Sequence, residues 1–342
     1  MRRPTRLPRL ATLCVLGDTA SSAHDNKARI DLLHVLEKAL QRNRDWHQLD
    51  AILLPGGFFW LSTALETASF DQRAARIRRS PFAATIFALL RQLSEQSPGL
   101  KLVTGVMAQS RDKRERTEQA CIAFDRHAVV GVARKIFPTH AESRGRRVMS
   151  AVVDDYSSSK RFINLANGSI AALHACYDLF GTADLGTMGN TRRAAIRTMR
   201  SARGRLTERD EGFRSERAYR VSQWHTLLRE RAPDVLLTSI HGFQRPGLDG
   251  YWQRHGIARA SAALNGAFAL GAAHFLEALP ASGSTLAACQ VPRIALTAGV
   301  SRRAYSLAPI ATLPLSASGV ESRLRLFEPV LAGSTTTLRR PA

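Results

Sequence analysis

Apolar residues along this chain fall into two alternating patterns, and their order predicts an architecture. Continuous runs at 10–16, 51–54, 102–107, 121–124, 129–133, 170–176, 235–240 and 267–272 read as strands, with shorter ones at 286–291 and 324–327. Several are apolar at nearly every position, which fits strands buried on both faces. Between the first two runs, Ile30, Leu33, Leu36 and Leu40 recur at helical spacing, and Asp25 or Asn26 is placed to cap the start. A second helix is predicted after Ser80, with Pro81 at its first position and Ile86, Leu89, Leu90 and Leu93 on its apolar face.

The middle of the chain changes character. Asp125-Arg126-His127-Ala128 separates two strand runs, and Asn167-Gly168 is a strong turn dipeptide, so each predicts a hairpin. Helical patterns return at 222–231 and 252–264. The order is βαβαβ, then hairpins, then βαβ, which predicts an α/β (α+β) domain over 9–330 with helices on the outer faces of paired sheets. Residues 1–8 read as a basic tail and 331–342 as a C-terminal tail.

Composition narrows the class. A chain of 342 residues that is 44% hydrophobic can bury a sizeable core. No apolar run approaches the ~20 residues that cross a bilayer, so no membrane partner is expected. The run at 10–16 follows Arg2, Arg3, Arg6 and Arg9, but Asp18 closes it without a small-residue cleavage site, so it reads as a strand. The cysteines are Cys14, Cys121, Cys176 and Cys289, with no CxxC pair. A reducing, cytoplasmic setting is expected, with no metal and no cofactor.

Charge adds a partner question. The net charge is +21, and 191–231 holds twelve arginines against five acidic residues. This segment reads as a basic insertion, centred on about 190–221, or as an exposed basic helix pair. A solvated surface is one reading; a nucleic-acid contact through Arg192, Arg193, Arg197 and Arg200 is another.

The candidate chemistry lies where three strands run into loops. The first exit is Leu53-Leu54-Pro55-Gly56-Gly57-Phe58-Phe59. The second, Ala133-Arg134-Lys135-Ile136-Phe137-Pro138-Thr139, offers a lysine able to stabilise charge on a substrate oxygen. The third, Leu173-His174-Ala175-Cys176-Tyr177-Asp178, offers a thiol at a strand end, where following backbone N–H groups can face an oxyanion. Strand alternation puts His174 and Cys176 on one face. The other cysteines read as core residues.

Taken in order, these segments resemble the nitrilase superfamily, the carbon–nitrogen hydrolases. Arg134-Lys135-Ile136-Phe137-Pro138 through Glu142 is similar to that family's lysine segment with its downstream glutamate. Asn167-Gly168-Ser169 through Cys176-Tyr177-Asp178 is similar to its cysteine segment, and Trp252 through Ala260, then Asn265, to its later helix. The resemblance implies a four-layer αββα sandwich of two mixed sheets, a homodimer, and an amide or nitrile substrate. It implies Cys176 as nucleophile, Lys135 and the Tyr177 N–H as holders of the developing charge, and Glu142 as an assisting carboxylate. Where the family places a glutamate after proline, this chain has Gly56. Glu66 and His174 are candidate substitute bases, and His241 with Phe243 is a candidate pocket loop. Two expectations follow: a hydrolase with a rearranged base, or a degenerate scaffold that binds a ligand without turnover.

Overall fold

The computed structural model describes residues 6–65, 69–110, 115–184, 196–201, 204–280, 284–289 and 304–329. Apolar runs become strands much as the pattern predicts. They are β1 (Leu10–Leu16), β2 (Ala51–Leu53), β3 (Phe59–Leu61), β4 (Lys101–Ala108), β5 (Glu118–Phe124) and β6 (Val129–Arg134), then β7 (Ala151–Val152), β8 (Phe162–Asn164) and β9 (Ile170–Ala175). β10 (Thr198–Ser201), β11 (Gly204–Thr207), β12 (Val235–Phe243), β13 (Phe268–Phe275) and β14 (Ala287–Cys289) follow, and β15 (Tyr305–Ser306), β16 (Ala311–Ala317) and β17 (Val320–Phe327) close the series. The helices are α1 (Asn26–Arg42), α2 (Phe70–Arg78), α3 (Pro81–Gln92), α4 (Asp178–Ala183), α5 (Phe213–Arg231), α6 (Leu248–Trp252) and α7 (Ala258–Ala263).

The main ladder runs β6-β5-β4-β2-β1-β13-β12-β9-β8. Its two halves join where β1 pairs in parallel with β13 over only Val15 and Leu16. The halves fold over each other around an inner core: Val103, Cys121, Ala123 and Ala133 from one side meet Leu173, Ala175, Leu237 and Leu270 from the other. Outside the first half, α1 and α3 bury Leu33, Leu36, Ile86 and Leu89 against Leu13 and Val15. Outside the second, Leu179, Phe180, Ile257 and Ala260 cover Ala172, Leu236 and Ile240. These are the four layers of the expected αββα sandwich, with mixed parallel and antiparallel pairing in both halves. Both sequence-derived hairpins form, β5–β6 across Asp125 to Ala128 and β8–β9 across Asn167-Gly168.

Some elements left no clear apolar signature. α2 begins with a capping box between Ser69 and Gln72 but buries only Ile77, so local hydrogen bonds define it. The arginine-rich segment is a β10–β11 hairpin and one helix rather than a helix pair. β10 pairs with β7, and α5 buries Phe213, Val221, Trp224 and Leu228 in a separate core with Ile136, Phe137 and Tyr156. Several of its described arginines face carboxylates: Arg197 with Glu208 at 3.2 Å, Arg200 with Glu118 at 3.8 Å and Arg205 with Glu115 at 3.9 Å. Arg192 and Arg193 lie outside the described residues, as do Glu66 and the chain from 330 onward. Among the described residues, no helix is long and apolar enough to cross a membrane, and no group of three metal-binding side chains gathers.

Candidate active site

The lysine comes first, because β6 delivers it into the interior. Lys135 follows the last residue of β6 and is 3% exposed. Its backbone N–H donates to Gln119 O on β5 at 2.8 Å. Its ammonium donates to both Glu142 oxygens and to Gln119 Oε1, each at 2.7 Å. Gln119 Nε2 donates in turn to Glu142 Oε1 at 2.7 Å, so the three side chains close a ring. Glu142 is seated by its own turn: Thr139 N donates to Oε2 at 2.7 Å, and Glu142 N donates to Thr139 Oγ1 at 3.2 Å.

The electrostatics follow from that ring. Burial opposes charge on Lys135, but the facing Cys176 sulfur, Glu142 and Asp178 outweigh it and hold the ammonium above its ordinary pKa. Burial would likewise raise Glu142; the Lys135 ammonium and the Thr139 N–H overcome it and hold the carboxyl down at about 2. A carboxylate so fully committed accepts a proton poorly. Glu142 therefore orients the lysine rather than serving as a base.

The cysteine sits at an elbow. β9 ends at Ala175, and Cys176 takes φ = 52°, the left-handed region that costs a non-glycine residue energy. α4 begins two residues later. Cys176 N donates to Ser239 O on β12 at 2.9 Å, which pins the elbow to the neighbouring strand. Burial pushes the thiol pKa up; Lys135 and a hydrogen bond from the His241 N–H pull it down without overcoming burial. The resting pair is thus a neutral thiol beside a charged lysine.

One buried carboxylate joins the two strand ends. Asp178 Oδ1 accepts from the N–H groups of Ile136 and Phe137, each at 2.9 Å, just past the lysine. Its Oδ2 accepts from Ala175 N at 3.3 Å, just before the cysteine, and from Arg161 Nη1 at 3.1 Å. Arg161 also donates to Arg134 O, and Tyr156 Oη donates to Ile136 O at 2.6 Å. Sequence reading placed Asp178 only as a neighbour of the cysteine and passed over Gln119, Arg161 and Tyr156. Nothing in their spacing marks them, since they meet through the fold.

The other sequence-derived candidates separate. His174 is fully buried, but its Nε2 lies 2.8 Å from Thr182 Oγ1 and its ring packs on Trp224, so it is committed to α4 and α5. Burial lowers its pKa to about 3. Phe243 is not in a loop. β12 continues through it after a register shift beyond Ile240, and its ring packs on Trp252 and Phe275. The shift leaves His241 and Gly242 as a bulge, a device that re-aims a side chain. Tyr177 stacks on Phe180 with ring centroids 4.4 Å apart.

Gly56 stands where backbone is densest. Its N–H donates to Ile240 O at 2.9 Å, and Gly105 N donates to Pro55 O at 3.0 Å. A Cβ at Gly56 would lie 2.6 Å from His241 Nδ1 and 2.8 Å from the Ile240 carbonyl carbon, and one at Gly105 would overlap Gly56. No side chain fits there without moving β12. A glutamate at Gly56 would therefore meet a steric bar.

No family model matches the chain, and no curated protein matches it. Solved structures do. One is a double-mutant amidase from Nesterenkonia sp. AN1 in complex with acrylamide, at 12% identity over 96% of this chain and 92% of that one, with a TM-score of 0.44. Another is a mutant of the same amidase, described as of the nitrilase superfamily, at 14% identity, 93% and 90% coverage and a TM-score of 0.41. A carbon–nitrogen hydrolase from Helicobacter pylori G27 matches at 13% identity, 93% and 88% coverage and a TM-score of 0.39. The chain is similar to these proteins in fold, and its own residues decide its chemistry.

Proposed function

We propose that this protein is a carbon–nitrogen hydrolase that cleaves a non-peptide amide bond through a thioester on Cys176. The observation that carries this reading is the Asp178 joint. One buried carboxylate accepts from N–H groups beside both Lys135 and Cys176, so thiol and ammonium are held as one unit. A core cysteine and a surface lysine would need no such joint.

In this reading Sγ bonds to the amide carbon as its proton departs. The carbonyl oxygen becomes an oxyanion that the Lys135 ammonium and the Tyr177 N–H stabilise. The C–N bond then breaks and the nitrogen takes up a proton and leaves. Water attacks the thioester, the acid is released and Sγ regains its proton. The ring of Glu142, Gln119 and Lys135 fixes the ammonium before reaction, so little reorganisation is needed as charge develops. A small amide, such as the acrylamide bound by the Nesterenkonia enzyme, is the substrate class that suits it.

The test is intact-protein mass and product release after incubation with small amides, nitriles and N-carbamyl compounds, alongside Cys176→Ala. Product or a mass gain that requires Cys176 is expected. Neither product nor adduct across the panel would favour a binding scaffold without turnover.

A further inference from the structure

The chemistry above needs a proton acceptor, and Gly56, Glu142 and His174 supply none. Gly56 carries no side chain, Glu142 is saturated by Lys135, Gln119 and Thr139, and His174 is bound to Thr182. What fills the space a Gly56 side chain would enter is the ring of His241, whose Nδ1 lies 2.6 Å from that Cβ position. The N–H of the same residue acts to lower the Cys176 thiol pKa. Both His241 ring nitrogens are buried without a hydrogen-bond partner. Buried polar groups are normally satisfied, and an orphaned one calls for an explanation.

Resting on the hydrolase reading, we infer that His241 is the general base of this site, aimed by the β12 bulge into the space that Gly56 leaves open. It takes the Sγ proton as sulfur bonds to the amide carbon and passes it to the departing nitrogen. It then takes a proton from water as water attacks the thioester, and returns it to sulfur when the C–S bond breaks. The groups facing it are Lys135, Glu142 and His274, with Cys176 at its own backbone. Burial and the Lys135 ammonium lower the ring's pKa to about 3, so the resting ring is neutral and, with no hydrogen-bond partner, keeps its lone pair uncommitted. Imidazolium forms only as negative charge appears on sulfur or on the oxyanion. Glycine at 56, glycine at 105 and the bulge then form one arrangement: the backbones close up, and the base arrives from β12 instead of β2.

The test uses a thiol probe, so it needs no substrate. Full-length protein is treated with iodoacetamide from pH 5.5 to 8, and labelling of Cys176 is followed by peptide mapping in wild type, His241→Gln and His241→Ala. With a neutral imidazole taking the proton, the wild-type rate stays flat across this range, whereas His241→Gln rises about tenfold per pH unit with the thiolate fraction. Added imidazole raises the rate in His241→Ala in proportion to its neutral fraction. A wild-type rate that itself rises tenfold per pH unit overturns the assignment without reference to any variant, as does a flat profile in His241→Gln. If Cys176 stays unlabelled in the native protein but is labelled after denaturation, the nucleophile reading fails rather than the role of His241 alone.

Discussion

The two walls of the site are built on opposite principles. On the lysine wall every polar group is spoken for: Lys135 meets two Glu142 oxygens and Gln119, and Asp178 accepts three backbone N–H groups and Arg161. On the histidine wall, the ring nitrogens of half-buried His241 and fully buried His274 are shielded and unpartnered, and the His241 ring crowds Gly56. A saturated network fixes geometry but has no capacity left to move a proton. An unsatisfied ring costs stability and keeps its lone pair free. Lysine and cysteine need to be held; a base needs to be available.

The largest effect is expected from breaking the joint on the saturated wall. Asp178→Asn leaves Arg161 charged and uncompensated in the interior, where such losses cost about 3–5 kcal/mol. Urea denaturation should show that loss together with abolished Cys176 labelling. A variant of near wild-type stability and reactivity would refute the joint.

The tight wall can be tested by filling it. Gly56→Ala should destabilise by about 1–3 kcal/mol through overpacking against His241 and Ile240, and Gly56→Glu by at least as much, without a gain in hydrolysis. A more active Gly56→Glu variant would mean that β12 yields easily and that the glutamate was merely lost.

Protonation separates the imidazoles from the carboxylate by pH range. Unfolded imidazole takes up a proton near pH 6.5. His174 and His241 do not do so in the fold until about pH 3. Between those values the unfolded chain binds more protons, so stability falls with falling pH, by about 1.4 kcal/mol per pH unit for each such ring. Glu142, held down at about 2, adds a further loss only below pH 4.5. Denaturation midpoints measured at pH 5 to 6.5 should therefore drop before the carboxylate begins to titrate. His174→Gln should flatten that slope by one ring's worth.

The smallest effect concerns the elbow. Glycine tolerates positive φ, so relief of strain offsets the added backbone freedom and Cys176→Gly should change stability by less than about 1 kcal/mol, while labelling at this site is lost. A marked destabilisation in thermal melts would show that the thiol is held as core rather than exposed for chemistry.

Much of this molecule was written into local pattern. Continuous apolar runs gave the buried strands, the 3.6-residue spacing gave α1 and α3, and Asn167-Gly168 gave the hairpin that leads into β9, because each depends on residues a few positions apart. Lys135 and Cys176 were legible for the same reason, as ends of recognisable runs, and Glu142 only through the resemblance of its segment to a known family. The rest depended on residues far apart in the chain. Gln119 closes the lysine ring from across a sheet, Asp178 reaches back 41 and 42 residues to Phe137 and Ile136, and His241 enters the space at Gly56 through a bulge. Sequence determined which strands form and which thiol and cation sit at their ends. Only the folding of one half-sheet over the other decided what those groups touch, because contacts between distant segments are set by packing and carry no period in the chain.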